Sequence, residues 1–264
     1  MEITSLGYRT DLMLLELSGS ELTDRGEYVV VRTPANPSYW WGNYLLFRTA
    51  FALGDTASRL ELFHHELPDA KHVALGIDSV DGIAGVEDEL VAAGLEIERS
   101  TVMTACQVKE PTRPNTESAY RALRSDDDWE QLFELTMAAT STWSELPNYA
   151  DFTREKVAAE RVLVEAGHAT WFGAYAGDRL QASLGLVSDG TGVARFQNVQ
   201  THPNDRGRGL ASTLVHQAST YGLTELEVHT LVMVADPEYL AIRLYRTLGF
   251  SDSETQLQLT KPAR

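Results

Sequence analysis

From residue 119 onward, the spacing of apolar and polar positions switches repeatedly between strand and helix periods. Residues 119–124 read as a short strand. Asp126, Asp127 and Asp128 then offer a helix N-terminus with acid in its first turn, and Trp129, Leu132, Phe133, Leu135 and Met137 follow at helical spacing. A second helix is expected from Asp151 or Thr153 to about Ala166, with Val157, Arg161, Val162 and Val164 along it. Strands at 170–176 and 180–187 flank the turn Gly177-Asp178, a hairpin signal. Gly190-Thr-Gly192 turns the chain into another extended run, 193–201. An amphipathic stretch from Leu210 to Tyr221, a strand over 227–234, a helix from Ala241 and a last strand after it complete the pattern. The order is β-α-α-β-β-β-α-β-α-β, an α/β chain with a mixed sheet.

The first part of the chain carries a related rhythm. Strands are expected at 28–32 and 44–47, a short helix at 60–67, a strand at 71–77, a helix at 86–93 closed by Gly94, and a strand at 96–106. Between the first two strands lies a loop rich in turn formers and aromatics, which includes Tyr39, Trp40 and Trp41. It either lines an acceptor or partner site or plugs the core. Large aromatics bury well, which favours the plug. Lys109-Glu-Pro-Thr-Arg-Pro-Asn-Thr116 reads as a linker, with two prolines among polar neighbours. The expected organisation is therefore a domain over 1–108, a linker over 109–116 and a domain over 117–264.

Composition narrows the possible functions. The chain has 264 residues and a formal net charge of −16, spread over both halves: 9 basic and 18 acidic side chains in residues 1–115, 13 and 20 in the remainder. This argues against nucleic acid or an anionic membrane as a partner and mildly favours a cationic acceptor such as an amine, although solubility alone also explains it. With one cysteine, Cys106, no intramolecular disulfide can form, and the residue reads as a small buried hydrophobe. No metal-binding spacing is present, so no metal is expected. No apolar run approaches a membrane span, and a soluble cytoplasmic protein is the default reading.

The candidate chemistry lies in residues 199–211. An extended run ends at Val199-Gln-Thr201 and gives way to Arg206-Gly207-Arg208-Gly209-Leu210-Ala211-Ser212, where the next helix opens. A strand that stops in a glycine-rich turn and starts a helix presents inward-facing backbone N–H groups and the positive end of a helix dipole, which together hold phosphate. Arg206 and Arg208 add positive charge. The run lacks the lysine of a P-loop, and Ser212 stands where a dinucleotide turn needs its third glycine.

What remains, Arg206-x-x-Gly209-x-Ala211 after a Val-x-Thr strand end, resembles the acetyl-CoA-binding motif of the GCN5-related N-acetyltransferase (GNAT) family. Ala241-Ile-Arg-Leu-Tyr245-Arg-Thr-Leu-Gly249-Phe250 resembles the same family's late helix, at about its spacing. The resemblance covers residues 117–264 and implies the acyl-CoA N-acyltransferase fold. Residues 1–110 lack the phosphate motif. They are expected to form a degenerate second GNAT-like domain in tandem or, alternatively, an unrelated α/β extension that shapes the acceptor pocket.

The resemblance implies direct acetyl transfer from acetyl-CoA, as co-substrate, to a primary amine of a small molecule or protein. Val199 and Thr201 would pair with the pantetheine arm, with the Val199 N–H as oxyanion donor. Residues 206–212 would hold the pyrophosphate, and Tyr245 would protonate the departing thiolate. The family often places a glutamate on the strand equivalent to 193–201. Here that strand reads Val-Ala-Arg-Phe-Gln-Asn-Val-Gln-Thr, without a carboxylate. A water held by Gln197 or Asn198, or His202, stands in for the base, although His202 fits a turn cap better. Glu238 occupies a position where the family often has asparagine. The missing carboxylate also leaves open a non-catalytic acyl-CoA sensor, and a longer acyl donor is a third option. The assembly is a monomer built as a pseudo-dimer, or a homodimer.

Overall fold

The computed structural model describes residues 1–139, 149–239 and 241–262. They form two compact units. The first comprises Met1–Met103, Val234–Tyr239 and Asp252–Arg264, and the second Thr104–Met233 and Leu240–Ser251.

The first unit contains α1 (Leu6–Leu17), β1 (Glu21–Asp24), β2 (Tyr28–Arg32), β3 (Tyr44–Phe47), α2 (Asp55–Glu66), β4 (Val73–Ile77), α3 (Glu87–Ala92), β5 (Glu96–Ala105) and, from the end of the chain, β11 (Ser251–Lys261). Its strand order is β1-β2-β3-β4-β11-β5. The pairs β1–β2 and β2–β3 are antiparallel, β3–β4 is parallel, and β4–β11 is antiparallel. Side chains alternate across this sheet. Val29, Val31, Tyr44 and Leu46 pack with Tyr8, Leu12 and Leu15 of α1. Val30, Leu45 and Phe47 pack on the other face with Phe63 of α2 and Leu90 of α3. Burial on both faces explains why β2 and β3 read as unbroken apolar runs rather than alternating ones.

Neither α1 nor β1 was expected from the sequence. Gly7 near the start of α1 weakens the helical signal. It is needed because a Cβ there would collide with Gln256 and Val102. Ser5 caps α1, and its Oγ donates to Glu254 of β11 at 3.0 Å. The Tyr8 hydroxyl donates to the Leu257 carbonyl. The last strand of the chain is thus held by the first helix.

The second unit contains β6 (Ala119–Ala122), α4 (Asp126–Ala139), α5 (Tyr149–Glu165), β7 (Ala169–Ala176), β8 (Arg179–Val187), β9 (Val193–Thr201), α6 (Leu210–Thr224), β10 (Thr230–Ala235) and α7 (Ala241–Thr247). Its strand order is β6-β7-β8-β9-β10, antiparallel until the final parallel step from β9 to β10. Both units therefore run an antiparallel meander into a strand, a crossover helix and a parallel strand. The start of α4 is a capping box. Asp128 Oδ2 accepts from the Ser125 N–H at 3.0 Å, and Ser125 Oγ accepts from the Asp128 N–H at 3.1 Å. Arg121 completes the arrangement and holds the Asp128 carboxyl well below the usual carboxylate range.

The buried positions of α5 are Thr153, Val157, Glu160 and Leu163, whereas Val162 is exposed. Cys106 is exposed rather than buried. Asn115, inside the stretch read as a linker, is buried and bonded to the turn before α6.

Candidate active site

The site grows from an irregularity in β9. Opposite β8, Ser183 pairs with Gln200 but Gly185 pairs with Gln197, so three steps of β9 face two of β8. The extra residue makes a bulge at Asn198, whose φ is 49°. Asparagine tolerates this left-handed conformation better than most side chains. On its other edge β9 pairs with β10 in parallel only from Val193↔Thr230 to Arg195↔Val232. Beyond Arg195 the two strands no longer share a register. The half of β9 that carries Val199 and Thr201 thus presents a free edge, to which an extended ligand can add as a strand.

That edge leads into the glycine turn. His202 caps a short 3-10 turn, its Nδ1 accepting from the Asn204 N–H at 3.3 Å, as its sequence position suggested. Asp205 is buried and fixes the turn. It accepts from Arg179 at 2.8 and 2.9 Å, from Gln181 at 2.7 Å and from Arg208 at 3.2 Å, and the Arg179 pair lowers its pKa to about 2. Gly207 and Gly209 have φ of 77° and 76°. A Cβ on Gly207 would meet nothing within 4 Å, but one on Gly209 would lie 2.5 Å from the Arg113 carbonyl oxygen. Gly209 is therefore demanded by packing as well as by its backbone conformation.

Helix α6 starts at Leu210 with no side-chain cap on its Gly209 N-cap. Among the described residues, no acceptor faces the backbone N–H groups of Gly207, Arg208, Gly209, Leu210, Ala211 and Ser212. Six N–H groups at a helix N-terminus without an internal acceptor make a place for an anion. The arginines contribute less than the sequence suggested. Arg208 is committed to Glu117 at 2.8 Å and to Asp205, and exposed Arg206 reaches back toward the Thr201 carbonyl.

Tyr245 lies on α7, buried at 6% exposure. Its ring meets Phe250 edge-on at 6.4 Å, and Phe250 in turn meets Phe196 of β9 at 5.9 Å. This aromatic chain sets α7 beside the strand that bears Val199. Gly249, at φ 102°, ends α7 and lets the chain turn back so that the Phe250 N–H reaches the Tyr245 carbonyl at 3.1 Å.

One group at the site was missed from the sequence. Glu160 of α5 is 9% exposed and accepts a hydrogen bond from Asn198 Nδ2 at the bulge. Lys156 Nζ donates to Asn198 Oδ1 at 3.0 Å and lies 3.9 Å from Glu160. Burial raises the Glu160 carboxyl to about 7 against the opposing pull of Lys156 and Asn198. The signal was legible: Thr153, Val157, Glu160 and Leu163 form one helical stripe, and a carboxylate on that stripe is out of place. Gln197 and Gln200 are half-buried, and Gln200 Nε2 donates to Thr136 of α4 at 2.9 Å.

The aromatic loop of the first unit divides between the two readings given to it. Tyr44, at its end, is fully buried, and Trp40 stacks on His72 at 5.3 Å, while Tyr39 stays 42% exposed. Among the described residues no group of side chains is arranged to hold a metal, and no helix is long and apolar enough to cross a membrane.

Comparison with known proteins follows the same outline. Residues 172–259 match the family model described as FR47-like protein. A GCN5-related N-acetyltransferase from Kribbella flavida is similar in structure over 98% of this chain and 97% of its own, with a TM-score of 0.66 at 14% identity. One from Sphaerobacter thermophilus is similar over 96% and 85%, with a TM-score of 0.62 at 16% identity. A tandem GNAT protein from the clavulanic acid biosynthesis pathway is similar over 79% and 68%, with a TM-score of 0.56 at 16% identity. No curated protein sequence matches. The chain has the acyl-CoA N-acyltransferase fold of these GCN5-related N-acetyltransferase structures, and its residues 172–259 match the FR47-like model.

Proposed function

We propose that the second unit binds acetyl-CoA and transfers its acetyl group to a primary amine. The observation that carries this reading is the continuity of the free β9 edge with the unsatisfied N–H groups of 207–212. The first suits the extended, amide-bearing pantetheine arm, and the second suits a pyrophosphate. Acetyl-CoA joins the two chemistries in one molecule. In this reading the backbone of Val199 and Thr201 pairs with the pantetheine amides. The Val199 N–H, one residue past the bulge, donates to the thioester oxygen as it becomes an oxyanion. The turn from Arg206 to Ser212 holds phosphate through backbone groups.

Tyr245 then serves as the acid for the departing thiolate. A phenol stays protonated at neutral pH and gives its proton to a sulfur anion only as the C–S bond breaks. The acceptor is a primary amine, and the acidic chain favours cationic ones. A cytoplasmic setting suits such a reaction, since acetyl-CoA is an intracellular metabolite.

Release of free thiol from acetyl-CoA, measured across a panel of alkylamines, diamines, amino acids and a lysine peptide, tests the reading, with the product identified by its added acetyl mass. Turnover with at least one amine is expected. Tyr245→Phe should lower kcat by about 10²-fold, the scale of a lost general acid, with acetyl-CoA affinity unchanged. An unaltered rate in that variant removes Tyr245 from the mechanism. Absence of thiol release with every amine contradicts the transfer itself.

A further inference from the structure

An acceptor amine meets the enzyme as an ammonium ion and has no lone pair to attack with until a base removes a proton. Strand β9 supplies no carboxylate for this. The helix packed beside its bulge does. We propose that Glu160 of α5 is the general base for the acceptor, acting beside the Asn198–Val199 bulge directly or through one water. The inference rests on the acetyl-transfer reading above and adds the residue that completes it.

Glu160 sits on the buried stripe of α5 rather than its solvent face. Its Oε1 accepts from Asn198 Nδ2, while Oε2 has no hydrogen-bond partner among the described residues. One oxygen is thus used for orientation and the other is left for a proton. Asn198 is itself fixed, since Lys156 holds its Oδ1. The amide therefore points its NH2 at Glu160, and the bulge cannot relax without breaking both contacts. The bulge residue is the chain neighbour of Val199, whose N–H is assigned to the thioester oxygen. A carboxylate tied to residue 198 stands close to the place where the amine must arrive.

The electrostatic surroundings suit the role. Among the described residues the charged group against Glu160 is Lys156, on its own helix, and β9 contributes the neutral Asn198. Burial outweighs both and brings the carboxyl to about 7. A base that titrates near the working pH combines availability with proton-taking power.

The step balances as follows. Glu160 Oε2 takes one proton from the ammonium. The freed nitrogen lone pair forms the C–N bond at the thioester carbon, and the carbonyl electrons move onto oxygen. The tetrahedral intermediate collapses, the C–S bond breaks, and the thiolate takes the Tyr245 proton. The nitrogen gives its extra proton to the Tyr245 phenolate, and Glu160 returns its proton to solvent. Ammonium and acetyl-CoA thus become amide, free thiol and one proton.

The test compares kcat/KM against pH for the wild type and Glu160→Gln, with the best amine from the panel. The wild type should lose activity as pH falls through about 7. At pH 8 the variant should be about 10²-fold slower or worse, should lack that limb, and should bind acetyl-CoA as the wild type does. Glu160→Asp, which keeps a shorter carboxylate, should retain the limb at a reduced rate. Thermal melting of each variant separates loss of fold from loss of base, and Glu160→Gln should melt no lower than the wild type at pH 8. A Glu160→Gln enzyme with the wild-type rate and limb overturns the assignment and leaves acetyl transfer standing. A wild type that releases no thiol with any amine overturns both together.

Discussion

The two units repeat one topological step, a strand followed by a crossover helix and a parallel strand, and they treat it in opposite ways. In the second unit β9 parts from β10 after three paired residues, and the N–H groups of residues 207–212 have no acceptor among the described residues. In the first unit β3 stays in register with β4 to its last residue, Phe47↔Ile77. The turn to α2 is also filled from within. Arg59 stacks on Phe47 and Phe51, 4.5 and 4.4 Å from their ring centres, and donates to the carbonyls of Thr49 and Ala50. The Ala52 N–H ends on Asp55 at 3.1 Å, the Gly54 N–H on Glu89 at 3.1 Å, and the Phe51 N–H on the Ala84 carbonyl at 2.9 Å. Carboxylates of the protein itself occupy the place that an anionic ligand takes at such a turn. One fold can therefore leave the N–H groups at this helix start open or satisfy them from within, and the difference lies in a few side chains.

Glycine substitutions expose this difference most strongly. Both α2 and α6 begin from a left-handed glycine, Gly54 and Gly209. Gly209→Ala combines the left-handed strain with a collision against the Arg113 carbonyl and should cost about 3 kcal/mol in chemical denaturation. Gly54→Ala meets nothing within 4 Å and should cost about 1 kcal/mol. Equal costs at the two positions would mean that the stretch 109–116 does not brace the turn.

Glu160 gives a smaller effect with a definite sign. Folded Glu160 holds its proton more tightly than the unfolded residue does. Its contribution to stability is complete below about pH 4.5 and is lost as pH rises through about 7. The penalty at pH 8 is on the order of 2 kcal/mol after allowing for partial solvent contact. Glu160→Gln should therefore gain stability over the wild type at pH 8 and differ little at pH 5. A site that is less stable as built than its inactive neighbour is the usual mark of function over stability. At the lower end of the scale, Asp55→Asn and Glu89→Gln alter only the closed turn and should leave acetyl-CoA affinity unchanged.

Much of the second unit could be read from the chain, because its signals are local. Strand 193–201, its turn and the start of the next helix follow from alternation and two glycines, and 28–32 and 44–47 are equally plain in the first unit. The remainder depends on contacts distant in sequence. Helix α1 is fixed by Asp78 and Glu254, both far along the chain. The apolar alternation of Leu257 and Leu259 marks a strand but does not say that its partner is β4. Arg208 looked like a phosphate ligand because Glu117, 91 positions away, gave no local sign of claiming it. Cys106 reads as a small buried hydrophobe because no base accompanies it in the sequence, yet it lies exposed just past the end of β5 at Ala105. The bulge at Asn198 has no glycine to announce it, and with the bulge unseen Glu160 had no visible partner.

Calorimetric titration with acetyl-CoA, on the wild type and on Ser212→Asp, tests the contrast between the units most directly. Ser212 lies in the first turn of α6, where an added carboxylate suits the helix but competes with phosphate for the open N–H groups. One site per chain in the wild type, weakened at least about 100-fold in a variant that melts no lower, is the expected result. Two sites per chain, none, or an affinity indifferent to Ser212→Asp would contradict it.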